Sequence, residues 1–118
     1  MNGILVIAHG SRAKETEAVP EVVLNMVKAR MPGIIMELAF MEFSERTIEK
    51  GVAALAARGV TEIKIVPYFL FMGIHLKEDI PRIVAQCAVN YPGIHITMGE
   101  PLGVDKRLAD ILVDRINV

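Results

Sequence analysis

Short, nearly continuous apolar runs alternate along this chain with longer stretches in which apolar residues return every three or four positions. The runs lie at about Gly3–Ala8, Ile34–Phe40, Glu62–Pro67 and Ile94–Met98. Runs of this length, bounded by glycine, proline and polar residues, predict strands of a parallel sheet buried on both faces. The stretches between them predict helices. The first carries Val19, Val22, Val23, Met26, Val27 and Met31 at helical spacing. Pro20 places the regular part of that helix close by, with Ser11–Ala18 as an irregular or mobile lead-in, and Pro32-Gly33 stops it. The second helix is expected from an N-cap near Ser44 to Gly59, with Ile48, Val52, Leu55 and Ala56 on one face. Asp79 is expected to cap the third, with Pro81 in its first turn and Ile80, Ile83, Val84 and Cys87 inward. The fourth runs from about Asp105 to Ile116 with Leu108, Ile111 and Leu112 inward. Regular alternation of strand and helix predicts one α/β domain of three αβα layers, its four-stranded parallel sheet covered on both faces.

This reading concentrates the reactive side chains at one edge. Ligands of open parallel sheets bind just beyond the carboxyl ends of the strands. His9 follows the first run directly, within His9-Gly10-Ser11-Arg12. A tight glycine turn with open backbone N–H groups and an arginine suits an anionic ligand. It is neither a dinucleotide fingerprint nor a P-loop, since G-x-G-x-x-G and G-K-[ST] are both absent. Glu42 follows the second run, between Met41 and Phe43, where apolar neighbours are expected to make its surroundings less aqueous. His75 ends the apolar stretch Phe69-Leu70-Phe71-Met72-Gly73-Ile74, a loop able to wall a flat organic ligand or to contact a second copy. Two imidazoles and a carboxylate from three strand ends suit Co²⁺, Ni²⁺, Fe²⁺ or Zn²⁺. Each could equally be a solvated loop residue. His95, inside the fourth run, is assigned a structural role.

Composition narrows the class. The chain has 118 residues, 53% of them hydrophobic, with a mean hydropathy of +0.42. So small a domain cannot bury that much apolar surface alone, so a homodimer is expected. A net charge of −1 argues against a nucleic-acid partner held through phosphates. The single cysteine, Cys87, forms no internal disulfide and fits a reducing compartment. Neither a signal peptide nor a membrane span is expected, which predicts a cytoplasmic protein.

The same segments resemble the class II tetrapyrrole chelatases, above all the small, half-length sirohydrochlorin chelatases of archaea. The matching stretches are His9–Arg12, Met41–Thr47, Val66–His75, Asp79–Arg82 and Gly99–Gly103, in the expected order over nearly the whole chain. The resemblance implies a chelatase or flavodoxin-like fold, half of a two-domain architecture. It also implies ATP-independent insertion of Co²⁺, or Ni²⁺ in some members, into sirohydrochlorin, with no prosthetic group. By match to the family motifs, His9 and His75 would bind the metal and His9 would accept pyrrole protons. Glu42 would be a third ligand or proton carrier. Ser11, Glu45 and the loop Leu70, Phe71, Met72, Gly73, Ile74 and His75 would contact the macrocycle. Longer members carry two such domains around a cleft, so two copies of this chain would pair. Arg46 stands where the family usually has proline, and no histidine-rich insertion precedes the fourth run. Competing readings are a sirohydrochlorin ferrochelatase, a metal carrier without catalysis, and a flavodoxin-like interaction domain.

Overall fold

Each apolar run becomes a strand, and all four lie parallel in one sheet. The computed structural model describes residues 1–118. In chain order the elements are β1 (Asn2–Ala8), a 3₁₀ turn (Lys14–Glu17), α1 (Ala18–Arg30), β2 (Ile35–Phe40), α2 (Ile48–Ala57), β3 (Glu62–Pro67), α3 (Ile74–Asn90), β4 (His95–Met98) and α4 (Lys106–Ile116). The strand order is β2-β1-β3-β4. In register, Ile7 of β1 lies beside Ala39 of β2 and Pro67 of β3. The strand bearing His9 is therefore central, and the loops after β2 and β3 flank it.

Alternation along the strands makes two cores. On the front face Leu5, Ile7, Ala39, Ile63 and Ile65 pack with Val52 and Leu55 of α2 and Ile80 and Cys87 of α3. On the back face Val6, Ala8, Met36, Leu38 and Phe40 pack with Leu24 of α1. The cross-strand order explains the division. Right-handed crossovers carry α1 to one face and α2 and α3 to the other. Gly51 lets α2 lie close on β1, since a Cβ there would stand 2.6 Å from a Leu5 methyl.

Several expected boundaries shift, each for a local reason. The lead-in to α1 is an ordered 3₁₀ turn in which the Thr16 hydroxyl donates to the Ala13 carbonyl at 2.6 Å. Helix α2 starts at Ile48 rather than near Ser44. Thr47 is its cap, accepting from the Lys50 N–H at 3.2 Å, while Ser44 Oγ accepts from the Arg46 N–H at 3.0 Å in the preceding turn. Helix α3 begins at Ile74, ahead of Asp79, because the Lys77 N–H bonds the Gly73 carbonyl at 3.0 Å and closes a first turn there. Asp79 instead pairs with Arg82 at 3.3 Å, and Pro81 lies inside the helix on an exposed side. His75 thus belongs to the first turn of α3 and not to a loop.

Apolar spacing does not mark burial on α1, and the expected inward face of α4 is overturned. On α1 only Leu24 is buried; Val19, Val22, Met26, Val27 and Met31 are exposed. The helix is apolar on more than one side, and its rotation is set by Leu24 on the sheet and by Glu21, which Arg46 Nη1 meets at 2.8 Å beyond β2. Helix α4 buries no residue, with Ile111 and Leu112 exposed and Leu108 half-buried. The third layer is therefore incomplete, because the back of β3 and β4 offers exposed Glu62, Lys64, His95 and Thr97 rather than an apolar surface. The preceding loop is also tied to the carboxyl edge. The Leu102 and Gly103 N–H groups bond the Phe69 and Leu70 carbonyls at 2.8 and 2.9 Å. No helix is long and apolar enough to cross a membrane.

Candidate functional site

The site grows from the ends of the three adjacent strands β2, β1 and β3. Backbone hydrogen bonds continue the ladder past their ends. The Met41 N–H bonds the Ala8 carbonyl at 2.9 Å, the Glu42 N–H bonds the His9 carbonyl at 3.1 Å, and the Tyr68 N–H bonds the Ile7 carbonyl at 2.7 Å. His9 is therefore held on a rigid backbone while its side chain stays exposed. Its ring lies 4.3 Å from that of Phe69, tilted by 60°. Phe69 is buried, continuing the alternation of Ile63, Ile65 and Pro67 past the end of β3.

Gly10 turns the chain away from His9. It has φ +90°, and a Cβ there would collide with the Glu42 carbonyl oxygen. Any other residue would push the β1 and β2 loops apart. Ser11 Oγ accepts from the Ala13 N–H at 3.2 Å, so its hydroxyl braces its own turn. In the β2 loop Phe43 adopts φ 59° without being glycine, a strained conformation worth about 1–3 kcal/mol. Lys14 holds it, donating from Nζ to the Phe43 carbonyl at 2.7 Å, and the Arg12 guanidinium lies 5.1 Å from the ring.

An open groove of about 520 Å³ runs beside His9, lined by Tyr68, Phe69, Leu70, Phe71, Gly73 and Leu76. Its wall is largely apolar, with Leu70 59% and Phe71 75% exposed. The expected macrocycle contacts Leu70, Phe71 and Gly73 thus meet His9 in one groove. Met72 is not part of that lining and packs against the front core. Ile74 and His75 stand exposed in the first turn of α3, outside the groove lining. Glu45 lines a separate groove along β2 with Glu37, Arg46 and Lys50.

Glu42 lies beside His9 through the backbone but is exposed, so the expected desolvated carboxylate is corrected. The strand bearing His9 lies between β2 and β3, so Glu42 follows the strand on one side of it and His75 the strand on the other. No three histidine, cysteine or acidic side chains converge into a metal-holding group. His9, Glu42 and His75 therefore form no preassembled three-ligand set within one chain. Arg46 pairs with Glu21 and lies over Phe40, which withdraws it from the edge.

The lining residues missed by sequence reasoning are Tyr68 and Leu76, while Phe69 was placed in the apolar wall but not beside the His9 ring. Phe69 was readable from the period of two that extends past Pro67. Leu76 required knowing that α3 starts at Ile74. Cys87 is buried on the front face as expected, and that burial, with the Glu49 carboxylate nearby, raises its thiol pKa.

Comparison with known proteins follows the same boundaries. The CbiX family profile matches residues 3–118. The sirohydrochlorin ferrochelatase of Priestia megaterium is 39% identical over 99% of this chain, which spans 44% of that protein. The sirohydrochlorin cobaltochelatase of Sulfurisphaera tokodaii is 34% identical over 98% of this chain and 92% of its own length. The sirohydrochlorin chelatase SirB from Bacillus subtilis subspecies spizizenii, solved in complex with cobalt, superposes with a TM-score of 0.90. It is 35% identical over 98% of this chain and 50% of its own. The chain thus spans less than half of some relatives and nearly all of another. With the profile matched from β1 through α4 and the fold shared with the SirB half, this chain belongs to the CbiX family.

Proposed function

We propose that this chain inserts a divalent metal, Co²⁺ in the first instance and Ni²⁺ as a further substrate, into sirohydrochlorin without ATP. The observation that carries the reading is His9: an exposed imidazole on a fixed backbone, in tilted contact with the Phe69 ring, beside an apolar groove. Insertion of M²⁺ releases two pyrrole protons, so the site needs a base beside a flat, largely apolar ring. A neutral imidazole near pH 7 suits that role. The tilted contact with Phe69 orients its ring, and Tyr68, Leu70, Phe71 and Leu76 supply the wall for the macrocycle. His9 and His75 deliver the metal as substrate. Two neutral nitrogens bind a borderline ion without enclosing it, so it can leave for the four pyrrole nitrogens. Glu42 is exposed at the same edge and carries protons outward or balances the ion's charge. The groove is open on one side, so two copies of the chain pair and enclose the macrocycle.

The family likeness to both ferro- and cobaltochelatases supports a second reading in which Fe²⁺ is the ion, as the Priestia megaterium relative's name indicates for that protein. Anaerobic incubation with sirohydrochlorin and Co²⁺, Ni²⁺ or Fe²⁺ in turn, followed by the macrocycle absorption spectrum, separates the readings. The fastest spectral change is expected with Co²⁺. A spectrum unchanged by all three ions, with the macrocycle still bound, would sink the chelatase reading. Binding of the ions alone would then favour a carrier.

A further inference from the structure

The loop after β2 passes through a backbone shape that a phenylalanine resists. Phe43 has φ 59°, and bulky side chains rarely occupy that left-handed region. The turn brings the chain back. Glu42 still follows the ladder, its N–H on the His9 carbonyl at 3.1 Å, and past Phe43 the Arg46 carbonyl accepts from the Phe40 N–H at 2.7 Å and closes the loop. Glu42 is thus tied to β1 on its N-terminal side. On its other side the hold comes from outside the loop: the Phe43 carbonyl accepts from Lys14 Nζ at 2.7 Å. The Arg12 guanidinium, 5.1 Å from the Phe43 ring, meets the same residue by its side chain. Lys14 itself is well placed, because it opens the 3₁₀ turn. There Ser11 Oγ accepts from the Ala13 N–H at 3.2 Å, and the Thr16 N–H and hydroxyl both bond the Ala13 carbonyl, at 3.0 and 2.6 Å. Further along, Glu21 meets Arg46 at 2.8 Å, so the segment from Arg12 to Glu21 clasps the loop at two points.

We propose that Lys14 is a positioning residue: its grip on the Phe43 carbonyl holds the left-handed turn and so fixes the Glu42 carboxylate at the edge that carries His9. The proposal deepens the chelatase reading and rests on it for the part Glu42 plays in insertion. The Glu42 carboxylate is exposed and in no ion pair, so its backbone places it. Without the lysine, Phe43 relaxes toward negative φ, and the peptide joining it to Glu42 rotates with it. The strained turn therefore persists only while something outside the loop opposes that relaxation. The Glu17 carboxylate, 3.8 Å from Nζ, balances the ammonium. A lysine so placed acts on the loop rather than as a free cation for the carboxylates of the macrocycle.

The first measurement needs no activity: amide hydrogen exchange of the metal-free 118-residue chain, followed by NMR. Lys14→Met changes an exposed side chain and should leave circular dichroism unaltered. Loss of one exposed hydrogen bond should speed exchange of the Glu42 N–H by about two- to tenfold. The Met41 N–H, bonded to the Ala8 carbonyl, should keep its wild-type rate. Lys14→Arg, which retains a donor, should restore slow exchange. So should Phe43→Asn combined with Lys14→Met, because asparagine accepts positive φ more readily. Unchanged Glu42 exchange in Lys14→Met overturns the proposal whatever the activity of the chain. Equal acceleration at Met41 and Glu42 also overturns it, since the whole edge would then have loosened. With sirohydrochlorin and Co²⁺, Lys14→Met should lower kcat by no more than the about tenfold expected of Glu42→Gln. KM should be unchanged, and Lys14→Met should cost nothing further in a Glu42→Gln background. A raised KM with unchanged kcat would make Lys14 a direct contact of the macrocycle and overturn the positioning role. A wild-type chain that inserts no metal removes the chelatase reading, and the exchange rates then decide alone whether Lys14 fixes Glu42.

Discussion

Strand β3 passes in a few residues from fully buried to largely exposed surroundings. On the front face Ile63 and Ile65 are 1% and 0% exposed against Leu55 and Ile80, while just past the strand Leu70, Phe71 and Ile74 are 59%, 75% and 76% exposed. The first region uses apolar side chains to hold the fold. The second spends similar side chains on a surface that stabilises nothing in the single copy, which is the behaviour of a binding wall. Stability and chemistry should therefore separate on substitution, and the separation can be tested at its extremes.

The largest effect is expected at the edge and in activity alone. His9→Ala should lower metal insertion by about 10²–10⁴-fold, the usual contribution of a positioned proton acceptor. His75→Ala should weaken metal binding. Both should keep the unfolding midpoint, since both side chains are exposed. Near wild-type insertion by His9→Ala at saturating sirohydrochlorin would remove His9 from the mechanism. In the front core the expectation inverts. Leu55→Ala should cost about 2–5 kcal/mol in urea unfolding, and Phe71→Ala less than about 0.5 kcal/mol. Equal losses would show that the apolar loop braces the fold.

Gly10 joins the two regions. Its φ of +90° and the Glu42 carbonyl against it leave no room for a side chain. Gly10→Ala should cost about 1–3 kcal/mol from backbone strain and should also displace His9 from Glu42, lowering insertion. Retained stability with lost insertion would place the relaxation wholly in the loop. Glu42→Gln is a milder test. With Glu42 exposed, the substitution should leave stability unchanged and slow insertion by about tenfold, ~1.4 kcal/mol. Unaltered sirohydrochlorin affinity would separate proton or charge handling from binding.

How much of this was legible in the sequence differs between the same two regions. The four strands and the inward faces of α2 and α3 were readable because burial imposes a period on strands and helices alike, whereas the strand order β2-β1-β3-β4 was not. His9 and the loop Leu70–Gly73 were readable because strand ends are marked by glycine and polar residues. The roles of α1 and α4 were not. Helix α1 is apolar on more than one side, and the contacts that fix its rotation, Leu24 on the sheet and Glu21 with Arg46, join positions distant in the chain. The stripe on α4 predicts an inward face, but the helix buries no residue in the single chain, because periodicity names no partner. Asp79 misled for a different reason: a good capping residue does not prevent a helix from starting earlier at an uncapped glycine.

The smallest expected effect concerns Cys87, the one titratable group held in the front core. Burial raises its thiol above its ordinary value of 9.0, and the negative charge of Glu49 adds to the shift. The folded state thus favours the neutral thiol more than the unfolded state does. Below pH 9 both states hold the proton and the shift has no effect on stability. As pH rises through 9 the unfolded thiol ionises first, so stability should decline until the folded pKa is also passed. Lysines and tyrosines titrate in the same range, so the informative quantity is the difference from Cys87→Ala. That variant should start lower at pH 7, because it leaves a small cavity, but should lose less between pH 9 and 10.5. A thiol introduced at the edge, as Phe71→Cys, should alkylate rapidly at pH 8 while Cys87 in the same chain stays unmodified until the protein unfolds. Alkylation of both at similar rates would mean that the front face opens as readily as the edge, and the contrast between the two regions would fail.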